Sequence, residues 1–295
     1  MRKLSMIVTA EQAGRSVKNL LRETFLFAPS QLSHLKFVEG AVLKNGTAVR
    51  LVDTAAAGDD IEVFLESGRA GELPLPILYE DEDLLVIDKP AGMTVHGVAG
   101  GAETVESLWR KSCALPFHAV NRLDRGTSGA MVAAKNGYIH DRLRNMLHTE
   151  DFLREYLALA EGRFTEDCGE IDQPLAREDG KTFASSEGKP ALTRYEVLAR
   201  GENCTLLRLQ LFTGRTHQIR AHCAAVGHPL LGDALYGGGK GKRPALHSWK
   251  ISLRQPIEGN RILVTAPLPE DLRELCQKQG IDVFRYLANE EKRSC

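Results

Sequence analysis

Residues 118–129 read His118-Ala119-Val120-Asn121-Arg122-Leu123-Asp124-Arg125-Gly126-Thr127-Ser128-Gly129, and the apolar run Ala130-Met131-Val132-Ala133-Ala134 follows at once. Glycine, threonine, serine and asparagine favour turns, whereas the run behind them has the length and character of a buried strand. The pattern therefore predicts a loop that delivers one carboxylate, Asp124, to the mouth of a core strand. A carboxylate between Arg122 and Arg125 can act as nucleophile, base or anchor. Taken alone, an ion pair at a strand edge would explain it equally well.

Working outward, the segments 77–79 and 84–88 read as two strands around the acidic turn Glu80-Asp81-Glu82-Asp83. Further strands are expected at 130–134, 152–159, 193–198, 206–212, 246–253 and 261–264. Helices are expected at 104–112, 136–147 and 216–226, with a last one from about Pro269. Hairpins and isolated helices without regular β-α-β alternation predict an α+β fold around a large, mainly antiparallel mixed sheet with flanking helices.

Residues 1–66 read as a small α+β unit of their own. Val17, Leu20, Leu21 and Phe25 have helical spacing; Ser30 is a candidate N-cap for a second helix carrying Leu32, Leu35 and Val38, and Gly40 is placed to end it. Asn45-Gly46 predicts a tight hairpin, and 61–65 a closing strand. Residues 67–76, Ser-Gly-Arg-Ala-Gly-Glu-Leu-Pro-Leu-Pro, have linker composition, leaving 77–295 as the main domain. The two units are expected to be separable.

No apolar run approaches the roughly 20 residues of a membrane span. The N-terminal apolar stretch ends at Glu11, too soon for a signal peptide, so a cytoplasmic location is expected. The six cysteines are scattered without zinc-site spacing, as for reduced thiols. Net charge is −1, yet residues 205–254 hold eight Lys or Arg against the single acid Asp233. A local positive face on a neutral protein suits a polyanion. The N-terminal unit is neutral, so any polyanion contact there would come from a helix face with Arg15, Lys18 and Lys36.

A second polar cluster, Thr213-Gly214-Arg215-Thr216-His217-Gln218-Ile219-Arg220, follows one predicted strand and opens a helix. Free backbone N–H groups with Arg215 and Arg220 make an anion site. Three more blocks stand out: Asp88-Lys89-Pro90-Ala91-Gly92-Met93, Arg154-Glu155-Tyr156-Leu157-Ala158 and residues 228–237, His-Pro-Leu-Leu-Gly-Asp-Ala-Leu-Tyr-Gly.

In that order, these blocks and the 118–129 stretch resemble the RluA-type family of RNA pseudouridine synthases. Residues 1–66 resemble an S4-like RNA-binding domain. The resemblance implies isomerisation of uridine to pseudouridine in structured RNA, large-subunit ribosomal RNA before transfer RNA. It casts Asp124 as the catalytic carboxylate, with Arg215 paired to it and Tyr156 stacked on the target base. Arg122 would contact the flipped nucleotide, Ile219 would floor the pocket, Arg220 and Lys89 would bind substrate, and the Lys89 loop would support the cleft edge. The family often has His where this chain has Asn121 and an acid where it has Gly126, differences that bear on substrate rather than reaction.

The reaction breaks the N1–C1′ bond, turns the uracil and rejoins it through C5. It needs no outside electron or group, so neither cofactor nor metal is implied. Asp124 can serve it by attacking the sugar or by removing a sugar proton. A monomer is expected. Two other readings remain open at this stage. One is a metal-dependent hydrolase using His217, His222, His228 and Asp233, although the histidines are spaced by five and six rather than by the four that align on a helix. The other is a non-catalytic RNA-binding or ribosome-assembly factor.

Overall fold

The computed structural model describes residues 1–68, 71–97 and 102–287. Within the stretch expected to be a linker, residues 69 and 70 thus lie outside the described residues. Two sheets dominate. The smaller has four strands in the order Arg2–Ile7, Asp60–Leu65, Val42–Lys44, Thr47–Ala48. The larger runs Cys168–Asp172, Leu192–Arg200, Cys204–Leu211, Phe152–Glu161, Leu246–Arg254, Ser128–Ala134, Leu84–Lys89, Ile77–Glu80. Arg261–Thr265 and His118–Ala119 pair off this path. The fold is α+β, and the large sheet is antiparallel except at its centre, where Ser128–Ala134 runs parallel to Leu246–Arg254.

That central pairing fixes the site. The register sets Lys89 beside Gly129, Gly129 beside Ser248, Ser248 beside Tyr156, and Tyr156 beside Leu209. Residues from five distant blocks therefore lie in one row across the sheet. Gly129 is required there: its φ is +109°, and a Cβ would fall 2.2 Å from the Ser248 carbonyl oxygen.

The helices form where spacing and caps predict. Thr104 caps Val105–Ser112, Asn136 caps Gly137–Met146, and Pro269 precedes Glu270–Lys278. The second N-terminal helix differs from expectation. It spans Pro29–Leu35 with Ala28, not Ser30, at the N-cap. Proline has no N–H to leave unpaired and its φ is preset for a first helical turn, so the helix starts at Pro29. Gln31 accepts the Ala28 N–H at 2.9 Å. The helix stops before Val38, which stays 40% exposed. Asn45 and Gly46 take the two positive φ values of the predicted hairpin, 51° and 76°. The strand Arg2–Ile7, unexpected in a stretch read only as too short for a signal peptide, pairs with Asp60–Leu65 from Arg2↔Leu65 onward.

The central strands are buried on both faces. On one, Leu84, Val86, Ala130 and Val132 join the N-terminal residues Val17, Leu20, Leu21 and Ile61 in one continuous apolar cluster. On the other, Leu85, Ile87, Met131 and Ala133 pack with Tyr156, Ile219 and Trp109. The N-terminal unit is thus seated on the sheet. Phe27 packs on Tyr138 with ring centroids 4.5 Å apart, and the Tyr138 hydroxyl donates to the Phe25 carbonyl at 2.8 Å. Asn136 donates to the Glu66 carbonyl at 2.9 Å. Leu73 and Leu75, in the expected linker, are buried against the opposite face.

Candidate active site

Asp124 sits in a turn closed by the Thr127 N–H donating to its carbonyl at 3.0 Å. Three braces hold that turn. Arg125 Nε donates to the Gly92 carbonyl at 3.0 Å, and the Gly92 N–H returns a bond to the Arg125 carbonyl at 2.7 Å. Arg243 Nη1 donates to the Gly126 carbonyl at 3.1 Å and to the Leu246 carbonyl at 3.0 Å. Lys89 is fully buried and its Nζ donates to the Pro90 and Met93 carbonyls, both at 2.8 Å. Burial pushes the Lys89 pKa down to about 8, against the pull of the nearby Asp124 charge. Lys89 therefore fastens the loop that fastens the Asp124 turn, and it does not line the pocket as a substrate-binding residue.

The pocket is lined by Arg122, Asp124, Tyr156, Arg215, Ile219 and Arg220, together with His217 and Gln218. The other predicted site residues therefore converge on one place. Its volume is about 50 Å³, space for a few waters. Arg122 and Arg215 stand exposed at its mouth, while Tyr156 and Ile219 are buried in its wall.

The expected Arg215–Asp124 pair is not formed. Arg215 Nε donates to the Pro190 carbonyl at 3.1 Å. The guanidinium facing Asp124 belongs to Arg220, whose Nη1 is 3.6 Å from Oδ2. His217 Nε2 approaches the same oxygen at 3.9 Å. The cause is local: His217 takes a left-handed conformation, φ 55° and ψ 21°, immediately before the helix Gln218–Ala225. That turn sends Arg215 outward and brings the first helical turn, with Arg220, back toward the carboxylate. Gln218 fixes the turn, accepting from Thr213 Oγ1 at 2.8 Å and from the Arg215 N–H at 3.0 Å.

Asp233, weighed in the sequence only as a metal ligand, and Tyr236, given no role there, hold Arg220 and His217 in place. Asp233, almost fully buried, takes Arg220 Nε at 2.6 Å and Nη2 at 2.7 Å, a bidentate pair. The Tyr236 ring lies under the same guanidinium, 4.9 Å from ring centroid to Cζ, and its hydroxyl is 3.1 Å from His217 Nδ1. Burial pulls the Arg220 pKa down, but bonding to Asp233 outweighs it and holds the group above its ordinary value. Burial also lowers the His217 pKa, with Asp124 opposing, so the imidazole is mostly neutral at pH 7. Burial raises the Tyr156 pKa, keeping the phenol protonated. The block at 228–237 carried the signal: an acid and an aromatic three residues apart in an otherwise basic segment.

The other histidines have separate partners. His222 bonds Thr193 Oγ1 at 2.8 Å and the Gln173 carbonyl at 3.0 Å. His228 bonds the Glu161 carbonyl at 2.8 Å. Among the described residues no three His, Cys, Asp or Glu side chains are grouped as metal ligands, and no helix is long and apolar enough to cross a membrane. At the two unusual positions, Asn121 Oδ1 accepts the Val132 N–H at 2.8 Å. Gly126 leaves room for Pro244, whose Cδ would be 2.9 Å from an added Cβ. Close approach explains the glycine.

A turn-borne carboxylate beside a buried tyrosine and a clamped arginine, at a parallel joint of a mixed sheet, defines a class of enzyme. The family model described as RNA pseudouridylate synthase matches residues 83–225. The chain is 36% identical over 316 residues to the ribosomal large subunit pseudouridine synthase D of Haemophilus ducreyi, covering 96% of each protein. It is 37% identical to the protein of the same name from Pasteurella multocida, covering 95% of each. A solved structure, human RNA pseudouridylate synthase domain containing 1, is similar with TM-score 0.57 and 28% identity, covering 70% of this chain and 89% of that one. Human RNA pseudouridylate synthase domain containing 4 shares the fold, with TM-score 0.58 and 23% identity over 69% of this chain and 92% of that one. The chain belongs to the RluA-type family of RNA pseudouridine synthases and is an enzyme acting on RNA.

Proposed function

We propose that this enzyme isomerises uridines of large-subunit ribosomal RNA, with Asp124 as the catalytic carboxylate. The convergence of Asp124, Tyr156 and Arg220 in one pocket supports the chemistry. The names of the relatives, matched over nearly the whole chain, support the substrate.

A base inside a stacked helix is out of reach, so the target nucleotide must turn out into the pocket. The pocket is too small for it as it stands, so the exposed Arg122 and Arg215 at its mouth must swing aside, Arg215 by giving up its bond to the Pro190 carbonyl. Tyr156 offers a ring face to the uracil and Ile219 an apolar wall. Asp124 acts on the sugar while the N1–C1′ bond breaks. After the uracil rotates, C5 bonds to C1′, C5 loses its proton and N1 gains one, so atoms balance without a co-reactant. Arg220 holds one carboxylate oxygen, and Asp233 keeps Arg220 from closing fully onto it.

Residues 1–66 serve in this reading as an S4-like RNA-binding unit. A cytoplasmic location follows from a ribosomal substrate. The test is pseudouridine mapping of total RNA from cells lacking the gene, complemented with wild type or with Asp124→Ala. The expected result is loss of one or more ribosomal sites, restored only by wild type. Loss confined to transfer RNA would overturn the substrate, and restoration by Asp124→Ala would overturn the catalytic assignment.

A further inference from the structure

Arg154 carries a charge for which no carboxylate stands as a partner among the described residues. It is 4% exposed on the strand Phe152–Glu161, two residues before Tyr156. Its Nη2 donates to the carbonyls of Leu147 at 3.1 Å and Leu211 at 3.4 Å, and faces His148 Nδ1 at 3.5 Å. Its buried Nε has no partner among the described residues. Burial lowers its pKa, and the group opposing that effect is the Tyr156 phenol. His148, exposed beside it, is likewise lowered by burial, then by Arg154 and Arg215, with the Phe212 backbone opposing. Buried charges are ordinarily paired. The Leu147 carbonyl at the end of the helix Gly137–Met146 and the Leu211 carbonyl at the end of a strand satisfy part of this guanidinium and leave its net charge in place.

The cluster is open on one side. Gly214 is exposed, and a Cβ there would lie 3.7 Å from Arg154 Nη1 and 3.6 Å from His148 Cε1. The glycine thus places no side chain over the guanidinium at this point. Its neighbour Arg215 is exposed and lines the mouth of the Asp124 pocket. Two guanidiniums and an imidazole meet at one edge of the site.

We propose that Arg154 and Arg215, with the opening at Gly214, form a phosphate site that takes a phosphodiester of the RNA next to the nucleotide held by Asp124. The proposal rests on the reading of the substrate as RNA. A phosphodiester brings the missing negative charge and acceptor oxygens suited to guanidinium N–H groups. A partly buried cation is also screened less by salt than a surface lysine.

The test has two arms on the full-length protein. Sodium phosphate is titrated while the His148 Cε1–H resonance is followed, and binding of a fluorescent oligouridylate is measured between 50 and 200 mM salt. Each is repeated with Arg154→Met and with Gly214→Asp, the latter placing an acid over the cluster at ordinary contact distances. Phosphate should shift His148 in wild type and in neither variant. The weakening of oligouridylate binding across that salt range should be about threefold smaller in each variant, the share of one phosphate contact. Arg154→Met with a lower Tm but both responses intact would overturn the proposal, leaving a brace for the helix end. A phosphate shift of His148 with salt dependence unchanged in both variants would also overturn it, as an adventitious ion only. Failure of the isomerase reading would appear separately, in the pseudouridine map, with both responses still present.

Discussion

The two faces of the large sheet handle polarity differently. On the pocket face, Asp124, Arg220, Asp233, His217 and Tyr236 form a chain in which each polar group orients the next. On the opposite face, Val17, Leu20, Leu21 and Ile61 of the N-terminal unit merge with Leu84, Val86, Ala130 and Val132 in an apolar layer. Directional bonds concentrate function in a few atoms, so one substitution can stop chemistry and leave the fold standing. Apolar burial is non-directional and spreads over many side chains, so a substitution there costs stability and spares chemistry.

The largest effect expected is from Asp124→Asn on the polar face. Turnover should fall by at least about 10³-fold, with RNA affinity within a few-fold and Tm nearly unchanged. Substantial residual activity would remove Asp124 from the chemistry and with it the contrast between the faces. Arg220→Lys comes next. A lysine cannot hold Asp233 in two bonds while facing Asp124, so kcat should drop by about 10²-fold with a smaller change in KM. If steady-state kinetics show kcat retained, charge alone suffices and the clamp geometry is irrelevant.

On the apolar face, Leu20→Ala should cost about 2–5 kcal/mol while kcat of the folded protein stays the same. Calorimetry should show one transition, because the core runs unbroken from Leu20 to Val132. Two separated transitions would show the N-terminal unit folding by itself, as its sequence suggested. For the same reason, deleting residues 1–66 should yield an aggregation-prone protein with Leu84 and Val86 uncovered.

Lys89 gives the most gradual effect. Its folded pKa, about 8, lies below the unfolded value near 10.5. Below pH 8 both states carry the proton and the folded state bears the cost of a buried charge. Between about pH 8 and 10.5 the unfolded chain binds more protons, so stability rises with pH, by roughly 3 kcal/mol at most. Denaturation of wild type against Lys89→Met across that range should isolate the slope. Identical slopes would mean that Lys89 keeps an ordinary pKa.

The sequence by itself determined most of the elements and the carboxylate. Turn formers before a buried run put Asp124 at a strand mouth, and strand patterns, helical spacing and Asn-Gly chemistry predicted most of the strands and helices that formed, because these are local preferences of the backbone; Arg2–Ile7 and Cys168–Asp172 were not among them. It also marked Tyr156, Arg122, Ile219 and Arg220 as pocket residues, by motif. What it left open needed the third dimension. Arg215 and Arg220 are five residues apart, and only the left-handed His217 decides which of them faces Asp124. Asp233 acts through a partner 13 residues away in the chain. Lys89 loses its place as a ligand contact because the sheet closes over it. The N-terminal unit, separable by composition, is joined by a shared core that no local pattern encodes. In each case the deciding energy lies in contacts between segments far apart in the chain, which exist only once the sheet has brought them together.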